Sequence, residues 1–179
     1  MLTSSEILRQ MELGHIDIKP FDPKRLNPNS YNLTLGDKLK IYDLDAGQIL
    51  DPRHPTPTKE IIIDRDRGKV LYPGILYLGT TNEWTRTDRH IACIDGRSSI
   101  GRLGIQVHLT AGFGDIGFQG KWTLEINVVH PVLVFPDMEI CQIYFEEPTG
   151  EIEQTYHGKY FDQQDVMESH MYEDFSKEE

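Results

Sequence analysis

GRSSIGRLGIQVHLTAGFGDIGFQGKWTLEIN, Gly96 to Asn127, holds seven of the chain's fifteen glycines, and they recur too often for any helix of useful length to survive between them. What remains is short extended segments joined by turns. In Trp122-Thr-Leu-Glu-Ile-Asn-Val128 the side chains alternate, so Trp122, Leu124, Ile126 and Val128 share one face and Thr123, Glu125 and Asn127 the other. That is a strand with one apolar side.

Working outward, the same grammar repeats. Asn29 to Gly36 alternates Tyr31, Leu33 and Leu35 with polar residues and predicts a half-buried strand. Further strands are predicted at Lys38–Tyr42, Glu60–Asp64, Gly74–Leu78, His90–Ile94, Ile105–Leu109, Val132–Phe135 and Ile140–Phe145, the last two joined around Pro136-Asp137. Asp51 to Thr58 has three prolines in eight residues and reads as a surface loop. One helix is expected, near the start: Thr3-Ser-Ser-Glu6 has capping-box spacing, Ile7, Leu8, Met11 and Leu13 form an apolar stripe, and Gly14 supplies the stop. Many short strands and a single short helix predict an all-β barrel or sandwich.

The expected organisation is one domain over residues 1–160 and an acidic C-terminal tail over 161–179, mobile and a candidate lid over a site. No apolar run is long enough to span a bilayer and the first fourteen residues lack the apolar core of a signal peptide, which points to the cytoplasm. A net charge of −11 argues against sequence-independent nucleic-acid binding, which needs a basic footprint. Local charge differs: residues 96–110 carry two arginines and no acid. Cys93 and Cys141 lie in apolar runs and read as buried small hydrophobes, and no histidines or cysteines stand at zinc-ligand spacing.

Three groups can carry chemistry. Glu125 sits on a strand that disfavours glutamate: either it faces solvent, or it joins Gln106, His108 and Thr110 of the preceding strand in a polar cleft, where a partly desolvated carboxylate suits general acid–base work. Gly96-Arg-Ser-Ser99 with Gly101-Arg102 offers backbone amides, hydroxyls and two guanidiniums, which phosphate oxygens favour, although the same residues are ordinary turn formers. Ala111 to Phe118 is a glycine-rich turn that places Asp115 between aromatics. There a carboxylate can accept from a sugar hydroxyl or simply cap the turn.

Together, Gly96-Arg-Ser-Ser-Ile-Gly-Arg-Leu-Gly104, His108-Leu-Thr-Ala-Gly112, Asp115-x-Gly-Phe-x-Gly120 and Thr123-Leu-Glu125 resemble the dCTP deaminases of the trimeric dUTPase superfamily. Pro28 to Gly36, Pro136 to Gln142, and Gly158-Lys-Tyr160 with Gln163 extend the resemblance over nearly the whole chain. It implies a distorted β-barrel of the dUTPase-like type, a homotrimer with active sites between subunits, and deamination without zinc. By this resemblance Glu125 would be the general base that activates water, Ser98 and the Ala111 carbonyl would hold that water, and Arg102 would orient the carboxylate. Asp115 would take the deoxyribose 3′-hydroxyl. Arg97, Ser99, Tyr156, Lys159 and Gln163 would hold the triphosphate, with Mg²⁺ bound chiefly by phosphate oxygens, and Thr110, Ala111, Gly112, Phe118 and Thr123 would line the nucleotide site.

Two branches of that family differ at the turn. Bifunctional members, which carry dCTP through dUTP to dUMP and pyrophosphate and so supply thymidylate synthesis, tend to have Ala-Gly-aromatic, as in Ala111-Gly112-Phe113; monofunctional ones stop at dUTP. The chain is expected to be bifunctional, though it departs from the common pattern at Gly114 and Ile116, where Ile and Pro are usual. The resemblance also implies regulation by dTTP through His108-Leu109-Thr110. The alternatives are a monofunctional deaminase, a dUTPase only, and a non-catalytic nucleotide-binding trimer.

Overall fold

The computed structural model describes residues 1–176, so the last three residues of the expected tail lie outside the described residues. The chain opens with α1 (Ser4–Glu12) and then runs through β1 (Ile16–Lys19), β2 (Tyr31–Tyr42), β3 (Thr58–Ile62), β4 (Lys69–Leu71), β5 (Tyr77–Thr81), β6 (Trp84–Thr87) and β7 (Ile91–Gly96). A one-turn helix α2 (Ser98–Arg102) follows, then β8 (Ile105–Gln106), β9 (Phe113–Gly114), β10 (Gln119–Gly120), β11 (Thr123–Val128), β12 (Val132–Val134), β13 (Glu139–Glu146) and a terminal turn α3 (Tyr172–Phe175). No described helix is long and apolar enough to cross a membrane.

The main sheet is antiparallel, in the order β8-β11-β5-β2-β13-β7-β9, with β3 also paired to β2. β2 is the strand that curls it. Its first half pairs with β13 and its second half with β3, while β5 flanks both, and the β2/β5 register breaks between Leu35 and Leu39. A three-stranded sheet β1-β6-β10 and the β4/β12 pair complete the half-barrel. The core is the inner face of these sheets: Leu33, Leu35, Leu39, Ile126, Ile140, Ile143 and Phe145 are each fully buried. Each such side chain contributes about 1.5–3 kcal/mol of transfer free energy.

Several expectations need correction. The mainly-β architecture and the N-terminal helix are as expected, but Tyr31–Gly36 is buried on both faces, because Asn32 and Thr34 have protein partners of their own. The Thr3 side chain makes no capping bond; it meets Ser5, and Glu6 is drawn forward to Arg9 and Gln10 instead. Gly14 does supply the stop, at φ +76°. β1, β4, β6, β9, β10, α2 and α3 are not among the expected elements; at two to five residues each they carry too little periodicity to stand out. The described part of the tail is docked: Asp165 pairs with Lys38 at 2.8 Å, Glu168 with Lys40 at 2.7 Å, and Val166 is only 3% exposed.

Candidate active site

β11 keeps its predicted alternation: Leu124, Ile126 and Val128 are buried and Thr123, Glu125 and Asn127 half-buried. The polar face is not open to solvent, because two irregular segments cover it. The chain leaves β8 after Gln106, and the loop that follows folds across β11, so that the Glu125 amide donates to the Val107 carbonyl at 3.0 Å. Farther on, the Leu109 amide donates to Glu125 Oε2 at 2.9 Å. From the other side the tail crosses, with the Met167 amide donating to Thr123 Oγ1 at 3.1 Å.

Between loop and tail lies a cleft of about 540 Å³ whose walls include Thr110, Ala111, Asp115, Phe118, Thr123, Glu125, Tyr156 and Gln163. All eight are residues that the sequence singled out. The expected contribution of Gln106 and His108 fails, since strand geometry ends at Gln106: neither lines the cleft, and His108 lies 3.9 Å from Asp95 with its Nδ1 buried and without a partner among the described residues.

The aromatic wall is held by packing and a hydrogen bond. Phe118 packs on Trp122 with ring centroids 4.7 Å apart and on Tyr156 at 6.0 Å, and the Trp122 indole N–H donates to Thr85 Oγ1 at 2.8 Å. Gly114 permits this arrangement: a Cβ there would lie 2.7 Å from the Trp122 ring. The turn closes through its backbone, the Phe118 amide donating to the Asp115 carbonyl at 3.0 Å, so the Asp115 carboxylate is exposed and carries no hydrogen bond among the described residues.

Gln163 anchors the tail. Its main chain bridges Gly120, its side-chain Nε2 donates to the Lys121 carbonyl, and its Oε1 is buried without a partner among the described residues. Tyr156 OH accepts from the Tyr160 amide at 3.1 Å. Lys159 is held by Asp174 at 2.5 Å, and that hydrogen bond raises its pKa above the ordinary lysine value.

The arginine cluster lies elsewhere. Ser98, Ser99 and Arg102 are exposed on α2 and do not line the cleft. Arg102 donates to the Ser98 carbonyl at 3.0 Å rather than to Glu125, and Arg97 pairs with Glu139 at 2.9 Å. Gly112 stands behind the loop, where a Cβ would lie 2.9 Å from the Ile94 carbonyl. Thus one chain brings the Glu125 and Asp115 carboxylates and an aromatic wall to one cleft, while Arg97, Arg102 and the Ser98 and Ser99 hydroxyls stand outside it. Among the described residues, no three His, Cys, Asp or Glu side chains converge as a metal cage.

Comparison with known proteins speaks to the whole chain. Residues 1–148 match the family described as dCTP deaminase-like. A protein from Clostridium beijerinckii named dCTP deaminase, dUMP-forming, is 50% identical over 177 residues, 99% of each chain. One of the same name from Leptospira biflexa is 47% identical over 177 residues, again 99% of each. The crystal structure of the 2′-deoxycytidine 5′-triphosphate deaminase from Agrobacterium tumefaciens superposes with a TM-score of 0.62 over 82% of this chain and 47% of that one. At 23% identity that likeness concerns the fold alone. Matched by the family model over residues 1–148 and by relatives over 99% of its length, the chain belongs to the dCTP deaminase-like family.

Proposed function

We propose that this protein converts dCTP to dUMP, deaminating it to dUTP and then hydrolysing dUTP to dUMP and pyrophosphate. The observation that carries this reading is the cleft in which Glu125 and Asp115 face one space beside the Phe118–Trp122 wall, in a chain half identical to a protein named for forming dUMP.

Glu125 is the general base. The Leu109 amide fixes one carboxylate oxygen and leaves the other for a water, which the Ala111 carbonyl and Ser98 hydroxyl hold. Glu125 takes one proton as the water oxygen bonds to C4 of cytosine and passes it to ring nitrogen N3. It then moves the remaining hydroxyl proton to the amino group; the C–N bond breaks, ammonia leaves and C4 becomes a carbonyl. No zinc is needed, because the carboxylate does the work of activating water. Asp115 accepts from the 3′-hydroxyl and, with a second water, serves attack on the α-phosphorus with pyrophosphate as leaving group.

Arg97, Ser99, Tyr156, Lys159 and Gln163 receive the triphosphate, Lys159 exchanging Asp174 for phosphate oxygen. The donor set fits a Mg²⁺ that the substrate carries on its own oxygens. When bound, that ion neutralises phosphate charge. Because α2 does not reach the cleft of its own chain, Ser98, Arg97 and Arg102 act on the cleft of a neighbouring subunit in a homotrimer. dTTP acts on the segment His108-Leu109-Thr110, where displacement of Leu109 releases Glu125; added dTTP is therefore expected to depress deamination.

The test is to incubate purified protein with dCTP and Mg²⁺ and resolve nucleotides and ammonia together. Ammonia with dUMP and pyrophosphate is expected. Ammonia with accumulating dUTP would mean a monofunctional deaminase; if dCTP stays intact, the same assay with dUTP in its place, showing dUMP, would mean a dUTPase only. Glu125→Gln is expected to lower ammonia release by at least about 100-fold while nucleotide binding persists; unaltered release would remove Glu125 from this role.

A further inference from the structure

The α2 turn starts from Gly96 and Arg97, and both are held by side chains of β13 that a regular strand could not bring together. Glu139 and Gln142 stand three residues apart, which places them on opposite faces of an ideal strand. The β13/β2 register shifts between Glu139 and Cys141, however, so Ile140 and Cys141 are both fully buried in succession and Glu139 and Gln142 emerge on the same half-exposed side. This is what an inserted residue does to a ladder: it re-aims a side chain.

The consequence is a closed set of bonds. Glu139 Oε2 forms an ion pair with Arg97 Nη2 at 2.9 Å and accepts from Asn32 Nδ2 at 2.9 Å, and its carbonyl accepts from Arg97 Nη1 at 3.1 Å. Asn32, only 6% exposed, is oriented in turn by Asn27 at 2.8 Å. Gln142 donates to the Gly96 carbonyl at 3.1 Å and accepts from Ser30 at 2.9 Å. One hydrogen bond and one ion pair thereby fix the Arg97 guanidinium from a single side, and its other N–H groups have no partner among the described residues and can meet an anion.

We propose that Glu139, itself held by Asn32, is a positioning residue that presents the Arg97 guanidinium to the substrate's phosphate groups. The proposal rests on the phosphate role of Arg97 given above. It has an unusual sign. By charge alone, a carboxylate next to a phosphate-binding arginine repels the substrate, so deleting it should improve binding. By orientation, the fixed fork is worth more than the repulsion costs, and deleting Glu139 should weaken binding.

The experiment is a double-mutant cycle on the full-length enzyme with dCTP, reading KM and kcat separately and following folding by thermal melting. Glu139→Ala is expected to raise KM about tenfold with little change in kcat. Glu139→Gln, which keeps an acceptor for Arg97, should recover part of that loss. In an Arg97→Ala background Glu139→Ala should cost nothing more, because a residue acting through Arg97 has nothing left to orient. If Arg97→Ala raises KM but Glu139→Ala leaves it unchanged or lowers it, or if the two losses simply add, the positioning role is overturned while the phosphate reading stands. If Arg97→Ala leaves KM unchanged, the phosphate role of Arg97 fails and this proposal with it.

Discussion

At Gly114 the Trp122 ring already fills the space a side chain would take, 2.7 Å from the Cβ position. Gly114→Ile is therefore expected to destabilise the protein by about 1–3 kcal/mol and to disturb the aromatic wall, which denaturant unfolding and Trp fluorescence would register together. Glu83 is the other residue that decides more than its sequence position suggests. It is 0% exposed and accepts from Arg25 Nη1 at 2.5 Å and from the amide and hydroxyl of Thr34, each at 2.8 Å. Arg25→Ala leaves that carboxylate buried without its counter-charge and is expected to cost about 3–5 kcal/mol in a denaturant melt. A cost near zero would mean that water replaces the guanidinium.

Among the elements, the tail is the most dependent on conditions. A hydrogen bond from Lys40 holds the Glu168 carboxyl below the usual range. At Asp165 partial burial pushes upward, but the hydrogen bonds from Lys38 and the Val166 amide outweigh it and the net direction is again down. Both groups are depressed in the docked state, so their contribution is fully present above the ordinary carboxylate pKa of about 4 and is lost as pH falls through the lowered values. Because both pairs are partly exposed, salt weakens them too. Hydrogen exchange of the Met167 and Ser169 amides, corrected for intrinsic rates, should lose protection at low pH and high salt, and Lys38→Ala with Lys40→Ala should reproduce that loss at neutral pH. Protection insensitive to all three would assign the docking to Val166 and the Gln163 bridge instead.

At the scale of the molecule, the distance between α2 and the cleft of its own chain has a direct test. If Ser98 serves a neighbour's Glu125, then Glu125→Gln and Ser98→Ala chains, each impaired alone, should complement one another when refolded together. Random mixing gives sites that draw both intact residues at about a quarter of the total, so deaminase activity should recover to about that fraction. Mixtures no more active than the separate variants would place both residues in one subunit's site. Sedimentation should give three times the 20.6 kDa chain mass.

Alternation in Trp122–Val128, the glycine spacing of Gly96–Asn127 and the prolines of Asp51–Thr58 determined strands, turns and loop by themselves, because backbone sterics and two-fold side-chain periodicity act within a few residues. The same local reading picked out Glu125 and Asp115 as groups with chemistry to offer. It left open whether Glu125 faced water and whether the tail covered a site, predicted a strand through Leu109 where there is a loop, and had no sign of α2 or of Glu83. Only the tertiary structure decided those. Whether a polar strand face is solvated or becomes a cleft depends on what folds over it: the Leu109 amide and the Met167 amide come from 16 and 44 residues away along the chain. No local pattern encodes contacts at that separation, because they form only when the curled sheet brings the loop and the tail to the same strand.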